Sequence, residues 1–201
     1  MAGIQAIITV MVYLASRSPR RAELLRQIGV DFSIQDIDID ESRLPAEPAS
    51  EYVCRMAATK ARVAVESIAS LQKADVVLAA DTTIHLDDDI IGKPVDREQC
   101  HYILQLLSGR QHQVLTAVAV ATASEVTCRL TRNQVSFRPL SNREIESYCA
   151  TPEPMDKAGA YAIQGKAAVF VDHMHGSYSA VMGLPVFETA ELLQNAGIKL
   201  F

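Results

Sequence analysis

The run Ser16-Arg17-Ser18-Pro19-Arg20-Arg21 combines hydroxyls, a proline and two adjacent guanidinium forks at a point suited to holding an anion. Met11 to Ala15 before it is apolar and strand-like, and Ala22 to Ile28 after it carries apolar residues at helical spacing, closed by Gly29. Ser18 then stands at the N-cap and Pro19 at the first helical position, where a missing N–H costs nothing. The free amides behind it meet the positive end of the helix dipole. Arg20 and Arg21 add planar donors that match phosphate oxygens. An ordinary capped helix with solvated arginines has the same local pattern, so the turn gains meaning only from acids and further cations elsewhere.

Asp81 follows five apolar residues, Val76 to Ala80, and is read as the end of a strand, serving either as a turn-capping acid or as a site carboxylate. Asp40 and Glu41 lie in an acid- and proline-rich loop, where solvated acids are the ordinary case. If these acids meet Asp81, they make an oxygen-rich site for magnesium or manganese, the hard cations of phosphoryl chemistry. Lys93, between Gly92 and Pro94, is restricted on its C-terminal side and suits a positioned phosphate contact. Lys60 lies on a helix flank, either as a site cation or as an exposed residue, and Arg55 reads as exposed. Gln164 before Gly165 offers an amide donor and acceptor for a base edge, with a turn-stabilising role as the alternative. The histidines His85, His101, His112, His173 and His175 show no ligand spacing and read as structural or surface residues. P-loop, dinucleotide-binding and serine-hydrolase elbow motifs are absent from the sequence.

The elements that must position these residues alternate between strands and helices. Strands are expected at Asp31 to Ile39, Ala74 to Leu86, His112 to Thr122, Glu125 to Phe137 and near Ala167 to Val171. A helix capped by Ser50 buries Val53, Ala57, Ala61, Ala64 and Ile68; others follow Asp96, the capping box Ser141-Asn142-Arg143-Glu144, and Pro185. His173 to Gly183 reads as a loop. The pattern specifies an α/β fold with a mixed twisted sheet flanked by helices. The 201 residues, 49% hydrophobic and 21% charged, suffice for one domain, placed at 11–201, with Met1 to Val10 as an N-terminal extension. A net charge of −5 argues against a nucleic-acid polymer or an anionic membrane as partner, and any polyanion site must be local. Cys54, Cys100, Cys128 and Cys149 are widely spaced and are read as reduced thiols in a cytoplasmic protein.

Four ordered segments, Leu14 to Arg21, Ala80-Asp81-Thr82, Gly92-Lys93-Pro94 and Lys157 to Gly165, resemble the Maf family of nucleoside triphosphate pyrophosphatases. Gly176-Ser177-Tyr178 and Gly183-Leu184-Pro185 extend the likeness almost to the C-terminus. The resemblance implies two lobes around a central cleft, as in ITPase-like folds, a Mg²⁺ or Mn²⁺ cofactor, a homodimer, and cleavage between the α- and β-phosphates. It makes Asp81 the proton acceptor and Glu41 the acid beside it, both catalytic and metal-holding. Ser16, Arg20, Arg21, Lys60 and Lys93 become substrate-binding residues. Arg20, Thr82 and Gln164 fall at the specificity positions and look like the dTTP/UTP subgroup. Ala162 and Met182 depart from the usual glycine and valine, small apolar changes near the base pocket. The competing expectations are a nucleotide-binding regulator of septum formation and a purine, ITP-type pyrophosphatase.

Overall fold

Residues 10–200 are described by the computed structural model; the expected extension therefore lies, except for Val10, outside the described residues. The central strand is β3 (Val76–Leu86), whose burial explains much of the rest. Val76, Leu78 and Ala80 point into one core and Val77 and Ala79 into another, as the two-residue period of a strand requires. Beyond them, Ile84 and Leu86 enter a third. A single strand thus threads both halves of the protein, and the three cores are exchanged around Asp81, Thr82 and Thr83.

On one side β3 pairs in parallel with β1 (Val12–Leu14), which pairs in parallel with β2 (Ser33–Ile34). On the other it begins an antiparallel series through β5 (Gln111–Ala121), β6 (Val126–Phe137) and β7 (Val171–His175). The short β4 (Asp89–Ile91) pairs with the far end of β3, completing a mixed seven-stranded sheet. Helices α1 (Pro19–Gln27) and α6 (Val186–Asn195) cover one face of the near half through Leu25 and Leu193. On the opposite face lies α2 (Ala49–Ser67), with Ala57, Ala61 and Ala64 against Ala79, Ala117 and Ala119. Methyl groups on both sides let the helix approach closely, and a larger residue there would cost about 1–3 kcal/mol. The far half is larger in its side chains: α3 (Arg97–Leu107) and α4 (Asn142–Cys149) pack with Phe137, Tyr148, Tyr161 and Phe170.

Several boundaries differ from expectation. Asp81 is not at a strand end: β3 continues five residues beyond it to Leu86. Ser18 occupies the N-cap of α1 but its hydroxyl makes no capping bond. Instead the Ser16 hydroxyl accepts from the Ser18 amide at 3.2 Å. Pro48, not Ser50, stands at the N-cap of α2. The strand expected over Asp31 to Ile39 shortens to β2, because its partner β1 ends at Leu14; beyond it the exposed Asp36 and Asp38 lie near Arg17. Ala167 to Phe170 lies within a 3-10 turn, and β7 follows it, taking up His173 to His175 from the expected loop. The rest of that loop contains the short helix α5 (Tyr178–Met182). The Asp96 cap and the Ser141–Glu144 capping box are both present.

The thiol expectation is corrected at one pair. Cys100 of α3 and Cys149 of α4 form a disulfide across 49 residues, with Cα atoms 6.1 Å apart, while Cys54 and Cys128 are free. No short-range motif announces this pair, since helix packing alone brings the two together.

Candidate active site

All nine site residues expected from the sequence line one cleft of about 540 Å³, between the near and far halves of the sheet. The alternation of β3 aims its residues. Asp81 lies on the α2 face and Thr82 on the α1 face, so adjacent residues serve opposite walls.

On the α2 wall, the Lys60 ammonium donates to Asp81 Oδ1 at 2.7 Å and stands 2.6 Å from Glu41 Oε1. The side chains of Lys60 and Asp81 are each 13% exposed and that of Glu41 is 50% exposed, so one cation and one acid are largely buried and the second acid stands at the solvent edge of the triad. Two carboxylates drawn this close repel each other, and the ammonium between them removes that cost. Burial pushes the Glu41 carboxyl up, but the Lys60 hydrogen bond and the charges of Lys60, Lys93 and Arg21 outweigh it and leave it below its ordinary value. The Tyr52 hydroxyl donates to the Glu41 carbonyl at 3.0 Å and fixes the acid's backbone. Burial, with the negative charges of Asp81 and Glu41, pushes this phenol up to about 12, so it remains a donor.

Asp40 does not join the triad. Its exposed carboxylate accepts from the Ser42 amide at 2.8 Å, making a local turn. Arg55 is likewise spent elsewhere, in a bidentate pair with Glu47 at 2.6 and 2.7 Å.

On the α1 wall Arg21 is partly buried and three of its donors are committed. Nε reaches the Gly183 carbonyl at 2.8 Å, one terminal nitrogen the Ser16 hydroxyl at 3.2 Å, and the other the Thr82 hydroxyl at 3.3 Å. Burial pulls its pKa down, opposed by the Asp81 charge. Two of its five N–H groups remain for a ligand. Gly183 has φ of +116°, a backbone conformation that favours glycine, so the carbonyl that takes Nε depends on a residue without a side chain. Arg20 points the other way, to Asp156 Oδ2 at 3.2 Å.

The far wall is made of turns. Lys93 is exposed in the loop after β4, and the Gly92 carbonyl there accepts from the Gly159 amide at 2.9 Å. Gly159 has φ of +72°, and a Cβ on it would lie 2.2 Å from Ile84, so both backbone and space require glycine. Tyr161 also lines the cleft, its hydroxyl 2.8 Å from buried His112 Nε2. Gln164 is exposed on the turn that follows, and Ala162 and Met182 line the same region. Sequence reasoning did not find Tyr52, Asp156 or Tyr161. Tyr52 lies a little over two turns before Lys60 on α2, a spacing that could have suggested it.

Among the described residues no group of three or more His, Cys, Asp or Glu is arranged to hold a metal. Glu41 and Asp81 are nevertheless hard oxygen donors, and two carboxylates with phosphate oxygens suffice for Mg²⁺. The donor set fits a cation shared with a phosphorylated ligand.

The family described as Maf-like protein matches residues 11–196. Three relatives are named dTTP/UTP pyrophosphatase. That of Aromatoleum aromaticum is 52% identical, covering 94% of this chain and 97% of its own. Those of Nitrosospira multiformis and Nitrosomonas europaea are 48% and 46% identical, each over 94% of this chain and 96% of theirs. The Ham1 protein of Staphylococcus aureus has the same fold at a TM-score of 0.52, with 13% identity, over 92% of this chain and 98% of that one.

Proposed function

The chain belongs to the Maf family, and we propose that it hydrolyses dTTP and UTP to the nucleoside monophosphate and pyrophosphate. The relatives' shared name supports the substrate pair. The observation that carries the chemistry is the Lys60-bridged pair of Glu41 and Asp81, facing the Ser16–Arg21 turn across one cleft.

Arg20, Lys93 and the uncommitted donors of Arg21 hold the triphosphate, with Ser16 fixing the Arg21 fork at the bottom of the turn. Their joint charge offsets what accumulates on the leaving pyrophosphate. Asp81 orients water at the α-phosphorus and takes its proton, and Lys60 holds that carboxylate in place. Glu41 and Asp81 would hold Mg²⁺ or Mn²⁺, which when bound neutralises phosphate oxygens. Thr82, tied to Arg21, and Gln164, exposed on the turn wall, discriminate the base together with Arg20.

Clearance of unwanted pyrimidine nucleotides requires access to the nucleotide pool, which fits a cytoplasmic enzyme. A homodimer is the expected assembly. No helix of the described residues is long and apolar enough to cross a membrane. Pyrophosphate release measured across a nucleotide panel, with and without Mg²⁺ or Mn²⁺, tests the reading. Preference for dTTP and UTP with metal supports it; preference for ITP, or binding without release, overturns it in favour of a purine enzyme or a regulator.

A further inference from the structure

Gln164 is carried on a turn with no regular secondary structure, yet the amides around it are tied to two side chains that nothing above uses. The Glu153 carboxylate accepts from the Lys166 amide at 3.1 Å through Oε2, and from the Ala167 amide at 3.3 Å through Oε1. The Tyr148 hydroxyl donates to the same Oε1 at 2.9 Å and accepts from the Ala162 amide at 3.3 Å. The turn is therefore pinned on both sides of Gln164 by two groups bonded to each other. Gly165 completes the fit, since a Cβ there would come within 2.4 Å of Glu153 Oε1.

The same connector reaches Arg20. Lys157 Nζ donates to the Glu153 carbonyl at 2.7 Å and pairs with Asp156 Oδ1, leaving Asp156 Oδ2 for Arg20 at 3.2 Å. Lys157 is only 12% exposed, whereas the Asp156 side chain is 60% exposed. The Asp156–Arg20 pair thus contributes aim more than stability. Burial pushes the Glu153 carboxyl up, but the amides of Lys166 and Ala167, the Tyr148 hydroxyl and Lys157 together bring it below its ordinary value. Glu153 thus remains an acceptor at neutral pH, as all three bonds require.

We infer that the Glu153–Lys157 connector is a specificity clamp: Glu153 with Tyr148 positions Gln164, and Asp156 positions Arg20. Base choice then depends on Glu153 and Tyr148, positioning residues that act through the turn. The inference rests on the dTTP/UTP reading of the site. Glu153→Gln keeps the size but presents an amide donor to one of the backbone N–H groups, which strands that group.

The test compares kcat and KM for dTTP and CTP in Glu153→Gln, with inorganic tripolyphosphate as a competitive probe that has no base. The expected result is a roughly tenfold rise in the KM for dTTP with kcat within about twofold, and a similar fall in preference over CTP. Tripolyphosphate inhibition stays within about twofold of the parent. Unchanged preference, or an equal loss for tripolyphosphate, overturns the clamp. Amide hydrogen exchange without nucleotide gives a second readout, with faster exchange expected at Lys166 and Ala167. Should the parent enzyme show no preference between dTTP and CTP, the substrate reading fails, and unchanged exchange then overturns the clamp independently. If Glu153→Gln does not fold, Tyr148→Phe, which removes the hydroxyl that joins Glu153 to the Ala162 amide, keeps the clamp falsifiable. A drop of about threefold or more in dTTP preference at unchanged tripolyphosphate affinity supports it, and parent-like preference overturns it.

Discussion

The two walls of the cleft are built by different means. The α2 wall places Lys60 and Asp81 on the middle of a helix and of a strand, where the backbone is held by repeated hydrogen bonds and alanine-to-alanine packing sets the separation. The far wall places Lys93 and Gln164 on turns, held by side-chain and isolated backbone contacts such as Glu153 to Lys166 and Ala167, and Gly159 to Gly92. Charges on the first wall satisfy one another, whereas Lys93 and Gln164 are exposed for a ligand. On the proposed reading, the proton acceptor and its lysine sit on regular elements, and the base-facing Gln164 sits on a turn.

Substitution on each wall sharpens this contrast. Asp81→Asn should lower kcat by about 10³-fold or more while circular dichroism and thermal unfolding stay close to the parent, because the side chain keeps its size and loses the charge that accepts the proton and pairs with Lys60. A folded variant with near-parent turnover would place the proton acceptor elsewhere.

Acid should loosen the turn wall from behind. His112 packs against Phe137 and Tyr161, its Nδ1 has no partner among the described residues, and burial pulls its pKa down to about 4. In the unfolded chain the imidazole titrates near 6.5, so between those values the unfolded state binds more protons. Stability therefore falls as pH drops through that window, by roughly 3 kcal/mol, and levels off below it. Urea unfolding of the parent and of His112→Gln at pH 7 and pH 4.5 isolates the contribution; equal pH dependence in both would refute it.

Lys60→Met should cost about a hundredfold in kcat/KM, since the two carboxylates lose the charge between them. Lys60 is what holds the Glu41 carboxyl down, so its removal raises that pKa. The acid limb of the pH profile should move to higher pH. An unmoved limb with parent-like activity would make the triad ornamental. The smallest effect belongs to the turn wall: Gln164→Glu should change preference between pyrimidine bases by about tenfold with little change in kcat, read from paired kinetics on dTTP and CTP.

Much of this wall structure was legible in the sequence. The start of α1 at Pro19, the Asp96 cap, the Ser141–Glu144 box and the alanine face of α2 all depend on near neighbours or short periods and form as the pattern predicts, whereas the Ser18 hydroxyl makes no capping bond. Asp81 was misplaced at a strand end because a carboxylate inside a strand looks costly until Lys60, 21 residues away, is seen to compensate it. The Cys100–Cys149 bond and the Glu153 bonds to Tyr148, Lys166 and Ala167 escaped for the same reason, since their partners are chosen by tertiary packing. Asp40 and Glu41, identical in local character, separate only when α2 brings Lys60 and Tyr52 to one of them.

The placement of reacting atoms opposite Asp81 is tested most directly by identifying the products of dTTP hydrolysis by the parent enzyme with ³¹P NMR. Cleavage at the α-phosphorus yields thymidine monophosphate and pyrophosphate in equal amounts. Thymidine diphosphate with inorganic phosphate would instead put the γ-phosphate at the acid pair, and would contradict the orientation in which Arg20, Arg21 and Lys93 hold the leaving group.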